Sequence, residues 1–158
     1  MSHLRRAILL LATAHLVGCV TTQARSQQMI AAARDVDRHL VDSYNRGDID
    51  GVMSNYWKSP DLIVYPPTAL EARGWNAVRE MMERGLANAP GAKLELTESR
   101  YQASGDLVIC WGKWRMTLPS KDGFPFTIEG RYTSLKAQRD GKWVFILDHA
   151  SIPWPLAQ

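Results

Sequence analysis

The spacing of apolar residues changes character once along this chain, just before Lys93, and that change constrains the fold more than any other feature. Before it, apolar residues recur at steps of three and four; after it, they alternate. From Ser26 onward Met29, Ala33, Val36, Leu40 and Tyr44 form one stripe, while Arg34, Asp35, Asp37, Arg38 and Asp42 fill the other face. This spacing predicts an amphipathic helix capped by Ser26 and stopped at Gly47. Asp48 opens a second, short helix carrying Ile49, Val52, Met53 and Tyr56, which Pro60 ends. Residues 61–65 read as a short strand and Pro66-Pro67 as a break. Gly74-Trp75 then starts a third helix with Trp75, Val78, Met81, Met82 and Leu86 on its apolar side. Residues 93–103, 107–118, 124–138 and 143–152 follow in period two, separated by Gly105-Asp106, the turn from Pro119 to Gly123, and the hairpin signal Asp140-Gly141. Helices first and an antiparallel sheet second predict an α+β domain whose sheet curls around the helices.

The remaining composition narrows the class. With 158 residues, 46% of them hydrophobic and 22% charged, the chain suits one globular domain, which excludes a disordered, collagenous or coiled-coil protein. The formal net charge of +3 falls to +1 without Arg5 and Arg6, a balance that argues against nucleic-acid binding. Those two arginines precede an apolar run from Ala7 to Val17, the layout of a secretory signal and shorter than the ~20 residues a spanning helix needs. Leu16-Val17-Gly18-Cys19 resembles the bacterial lipobox, in which the cysteine is lipidated and becomes the first mature residue. Cleavage after Ala24 as an ordinary signal is the alternative. The expected organisation is a lipoprotein signal over residues 1–18, a lipidated tether over 19–26, and a single domain over 27–158. Val20 after the cysteine, rather than Asp, points by resemblance to bacterial sorting rules to the outer membrane, with the domain facing the periplasm. The lipid anchor is then the only membrane attachment, at about 0.8 kcal/mol per buried methylene. Cys19 and Cys110 are the only cysteines, so no disulfide framework is expected, and Cys110 among apolar neighbours reads as an inert buried thiol.

Several phrases together carry a family resemblance. Tyr44-Asn45-Arg46-Gly47-Asp48-Ile49-Asp50-Gly51, the strand Asp61-Leu62-Ile63-Val64, Gly74, Gly130-Arg131-Tyr132-Thr133, Asp140-Gly141-Lys142-Trp143 and Asp148-His149-Ala150-Ser151 resemble the nuclear transport factor 2-like superfamily, particularly its SnoaL-like and ketosteroid-isomerase-like branches. The final hairpin also resembles the association domain of calmodulin-dependent kinase II. The resemblance implies three helices packed in a strongly bent antiparallel sheet, a cone-shaped α+β barrel open at one end on a pocket, and homodimers formed through the sheet. It also implies isomerases, cyclases, dehydratases or non-catalytic binders, so it leaves the chemistry open. Ketosteroid isomerase chemistry needs a carboxylate base with a tyrosine and a protonated acid in an apolar cavity, for which Asp61, Tyr65 and Asp148 are the residues available.

Candidate site residues follow from the last hairpin. If Asp140-Gly141 closes a two-residue turn, Arg139 pairs with Lys142, and this register carried along the strands sets His149 opposite Tyr132 and Asp148 opposite Thr133. His149 then shares a face with Trp143, Phe145, Leu147 and Ser151 turned toward the helices, where it can hydrogen-bond Tyr132 and titrate usefully, or serve as a structural histidine. Asp148, Arg131, Val144 and Ile146 take the opposite face, with Arg131 and Asp148 as an ion pair or as a binder of a substrate carboxylate. A one-residue shift swaps the faces, so His149 and Asp148 both stand as catalytic candidates. The six tryptophans, Trp57 and Trp114 among them, with Tyr44, Tyr56, Tyr65 and Tyr132, can line an apolar ligand pocket. His39 and His149 lack metal-ligand spacing, and no glycine-rich phosphate loop or nucleophile elbow occurs, so neither metal nor cofactor is expected. The favoured reading is a non-catalytic envelope binder of a small apolar or amphipathic molecule. A proton-transfer enzyme using His149 or Asp148 and a dimeric module recruiting a partner protein are the alternatives. Cys19→Ser is expected to move the protein from the membrane to the soluble fraction of cells; a mature N-terminus at Arg25 would refute the lipobox.

Overall fold

The computed structural model describes residues 2–119 and 124–153, with side chains from Thr22 onward. Helix α1 runs from Ser2 to Arg46, so Ser26 is not a cap: its hydroxyl donates to the Thr22 carbonyl one turn back, inside a continuous helix. The expected tether, residues 19–26, lies within this helix. The end of α1 is as the sequence predicts, with Gly47 at φ 70° and the amides of Gly47 and Asp48 returning to the carbonyls of Tyr44 and Ser43. Asp48 caps helix α2 (Ile49–Met53) by accepting from the Gly51 amide at 2.8 Å. Helix α3 spans Trp75–Asn88. The turn residues 120–123 and Trp154 lie outside the described residues.

Among the described residues six strands form one curved, open sheet: β1 (Ile63–Tyr65), β2 (Ala72–Arg73), β3 (Lys93–Ser104), β4 (Leu107–Leu118), β5 (Phe126–Arg139) and β6 (Lys142–Ser151), in the order β2-β1-β6-β5-β4-β3. The sheet is mixed rather than wholly antiparallel, because β1 runs parallel to β6 with Ile63, Val64 and Tyr65 beside Leu147, Asp148 and His149. The two-residue β2, which has no signal in the sequence, pairs with β1. One core cluster joins Val36, Val52, Met53, Tyr56, Leu62, Val64, Val78 and Phe145 where the helices meet β1 and β6. A second sets Met29 and Ala33 of α1 on Val108, Cys110, Trp114 and Tyr132 of the long strands.

The hairpin register holds at its turn and fails midway. Asp140 and Gly141 both take positive φ, and Arg139 pairs with Lys142, as the Asp-Gly signal requires. Lys136 pairs with Phe145 but Leu135 pairs with Leu147, leaving Ile146 as an extra residue, a β-bulge. The bulge falls where the edge of β6 away from β5 changes partner. Phe145 exchanges backbone hydrogen bonds with Asn55 and Trp57, whereas Leu147 and its successors lie beside β1. Beyond the bulge every side chain turns to the other face: Asp148 points inward, opposite Ser134, and His149 points outward, opposite Thr133. The pairings of His149 with Tyr132 and of Asp148 with Arg131 are therefore not formed.

A second bulge, between Leu96 and Glu98 in β3, brings its backbone against β4. A Cβ built on Gly112 would stand 1.8 Å from the Glu98 carbonyl oxygen, a backbone atom that cannot turn aside. Gly112→Ala is expected to destabilise the domain by about 3 kcal/mol or more in chemical denaturation. Gly85→Ala, on α3 with nothing within 4 Å of the new methyl, should instead stabilise it by about 0.5–1 kcal/mol.

Candidate functional site

Between the helices and the inner sheet face lies a cavity of about 250 Å³, open at one end. Its wall is built from Leu40 and Tyr44 of α1, Met81 and Met82 of α3, Leu94 and Leu96 of β3, Trp114 and Met116 of β4, Tyr132 of β5, and Phe145 and Ala150 of β6. Tyr65, Pro66, Pro67 and Thr68 contribute from the end of β1 and the loop after it. Thioethers and aromatic rings dominate, which suits an apolar guest of irregular shape.

Two carboxylates interrupt this wall. Asp148 accepts a hydrogen bond from the Tyr56 hydroxyl at 2.9 Å, and the Tyr56 ring stacks on Phe145 at a centroid distance of 5.0 Å. Burial pushes the Asp148 pKa up, against the opposing pull of the Tyr56 hydrogen bond and the positive charge of Lys136. Burial, then the neighbouring Asp148 charge, holds the Tyr56 hydroxyl well above its ordinary value.

Asp37 is the second carboxylate. It is 4% exposed, so it does not lie on the solvent face of α1 where the sequence pattern sets it. One of its oxygens pairs with the fully buried Lys136 ammonium at 2.8 Å, and the other accepts from the Tyr101 hydroxyl at 2.9 Å. Lys136 also donates to Ser134 Oγ at 3.3 Å and lies 4.2 Å from the centroid of the Phe145 ring. Neither Lys136 nor Tyr101 stands out as a functional candidate in sequence. The available signal is strand alternation, since Tyr132, Ser134 and Lys136 share one face of β5.

A model of the SnoaL-like domain family matches residues 37–146, most of this fold and of the cavity wall. The chain belongs to the SnoaL-like family. Among solved structures, this SnoaL-like protein is similar to a nuclear transport factor 2-like superfamily protein from Salmonella enterica at 18% identity and TM-score 0.68, over 78% of this chain and 89% of that one. It is also similar to a nuclear transport factor 2-like protein of unknown function from Pseudomonas putida, at 20% identity and TM-score 0.70 over 85% and 90% of the two chains. A proposed dehydratase of the same family from Streptomyces avermitilis superposes with TM-score 0.73 at 15% identity, over 81% and 98%. No curated protein sequence matches the chain.

Within the SnoaL-like cavity the sequence candidates separate. Asp148, Tyr132 and Trp114 line it, and Tyr65 stands at its edge with its ring edge-on to the outward His149. Tyr132 donates to Ser99 Oγ at 2.7 Å, and its neighbour on the strand supplies the acceptor for Trp114, whose indole N–H reaches the Arg131 carbonyl. His149, Arg131 and Ser151 meet instead on the outer sheet face, where the Arg131 guanidinium donates to Ser151 Oγ at 3.3 Å and Lys113, Trp111 and Glu98 lie nearby. Trp57 is outside the cavity, under the Arg139 guanidinium, and Asp61 is exposed. Among the described residues no three His, Cys, Asp or Glu side chains are grouped to hold a metal.

Because the Asp148 pKa is raised in the folded protein, the native state holds its proton to higher pH than the unfolded chain does, so this group favours folding in acid and loses that contribution as pH rises through its folded value. Asp148→Asn is therefore expected to raise the melting temperature at neutral pH, with the gain shrinking as the pH is lowered below the ordinary carboxylate range. Equal gains at both pH values would contradict the assignment of burial as the cause.

Proposed function

We propose that this SnoaL-like protein is a small-molecule binder that holds an apolar or amphipathic ligand in its cavity without transforming it, as a lipid-anchored, homodimeric protein of the bacterial cell envelope. The cavity carries the binding reading: an apolar, open space of about 250 Å³ in which Tyr56 donates to Asp148 and Asp37 is paired with Lys136. Its size suits a compact organic molecule. The envelope reading rests on Leu16-Val17-Gly18-Cys19 after the basic and apolar segments, and among the described residues no helix is long and apolar enough to cross a membrane.

The outer sheet face supports the dimer. Ile63, Ile109, Leu135 and Leu147 lie on it outside both core clusters, beside Trp111, which is 37% exposed. Apolar residues in such numbers on one solvent-facing sheet surface favour a partner of the same kind.

A second reading, a proton-transfer enzyme of the isomerase, cyclase or dehydratase type, is favoured by one observation. Asp148 faces the apolar cavity with its pKa raised toward the range useful to a general acid or base. In this reading Asp148 moves the proton, Tyr56 orients it, and His149 takes no part.

Ala150→Leu, which adds side-chain volume at the cavity wall, is expected to weaken binding of an environment-sensitive apolar dye at least about tenfold while leaving the melting temperature within a few degrees. Unchanged dye binding would remove the cavity from consideration. Ligand extracted intact after prolonged incubation supports the binder, and its chemical conversion, lost in Asp148→Asn, supports the enzyme. Leu147→Asp should yield a folded monomer in sedimentation experiments; a parent protein already monomeric at micromolar concentration would overturn the dimer.

A further inference from the structure

The charges around the cavity specify its guest more closely than its size does. Asp37 and Asp148 are the only charged side chains that line it among the described residues. Asp37 is already satisfied, with one oxygen on Lys136 and the other on Tyr101. Lys136 is fully buried and turned to Asp37, Ser134 and the Phe145 ring, so its charge is committed within the protein. Asp148 has a different status: its hydrogen-bond partner is the neutral Tyr56, and it takes part in no ion pair among the described residues.

Resting on the reading of the cavity as a small-molecule site, we propose that its ligand carries a protonated amine on an apolar body, seated with the ammonium against Asp148. An ion pair gains most where water is thin and the wall is apolar, and an ammonium is the group that both neutralises a carboxylate and donates hydrogen bonds to it. Tyr44, Tyr56 and Trp114 around the same space are the aromatic company in which ammonium groups are readily held. A guest carboxylate or phosphate meets the reverse situation, with two aspartates on the wall and the buried Lys136 already paired with Asp37. Burial outweighs the pull of Tyr56 and Lys136 on the Asp148 carboxyl, and a guest ammonium adds to that pull.

The test is a series of one shape and three charges, phenylpropylamine, phenylpropanol and phenylpropanoate, titrated calorimetrically into the full protein at neutral pH. The amine is expected to bind at least about tenfold more tightly than the alcohol, with the acid weakest. In Asp148→Asn the amine should fall to within about threefold of the alcohol, whose own affinity stays near the parent value. An alcohol or acid that binds as tightly as the amine overturns the amine preference while leaving the small-molecule cavity standing. An amine preference that survives in Asp148→Asn overturns the role given to Asp148. Failure of all three to bind at millimolar concentration overturns both this proposal and the cavity reading beneath it.

Discussion

The ion pair between Lys136 and Asp37 lies at the point on which the rest of the molecule is assembled. It crosses from the middle of β5 to the inner side of α1, and both groups are withdrawn from water. Removing one partner from such a pair typically costs about 3–5 kcal/mol, because the charge left behind stays buried. The pair therefore fixes the rotation of α1 against the sheet. With α1 held so, Val36 and Leu40 face the first core cluster and Ala33 the second, and Tyr44 reaches the cavity wall. Tyr101, Ser134 and the Phe145 ring close the remaining positions around the two charges.

The extra residue in β6 decides what the cavity contains. A regular hairpin from the Asp140-Gly141 turn would carry His149 inside and leave Asp148 on the outer face. Ile146 reverses this from Leu147 onward, so the cavity receives a carboxyl and the outer face an imidazole. The displacement also suits the edge of β6 away from β5, which must serve the Asn55–Trp57 segment before the bulge and parallel β1 after it. One inserted residue thus joins the pairing of the sheet to the chemistry of the site.

Much of this was legible in the residues themselves. The three helical segments, the long strands, the Gly47 stop, the Asp48 cap and the final turn follow from local rules that neighbours in space did not override. The bulge was not legible, since nothing in Val144-Phe145-Ile146-Leu147 distinguishes an alternating strand from one with an extra member. Asp37 sat beside Asp35 and Arg38 in a polar run, and its burial depends on a lysine 99 positions later. Each half of a long-range ion pair looks like an ordinary surface charge until the fold brings both together. Strand β1 falls within the short strand read over residues 61–65, whereas β2, at two residues, exists by pairing with β1 rather than by propensity.

Asn45 has a mechanical consequence. Its side-chain amide donates to the Leu94 carbonyl and its oxygen accepts from the Leu94 amide, while Lys93 returns to the Asn45 carbonyl, so the end of α1 and the start of β3 are stitched from both directions. These bonds hold Tyr44 and Leu94, two residues of the cavity wall, against each other. Helix α3 buries Val78 and packs Trp75, Met81 and Met82 on the first core cluster, with Arg79 paired to Asp50 of α2. The wall at Tyr44 and Leu94 is thus held by directed hydrogen bonds, whereas the wall at Met81 and Met82 of α3 is held by apolar contact with the first core cluster, so a guest meets one side fixed by direction and another fixed only by shape.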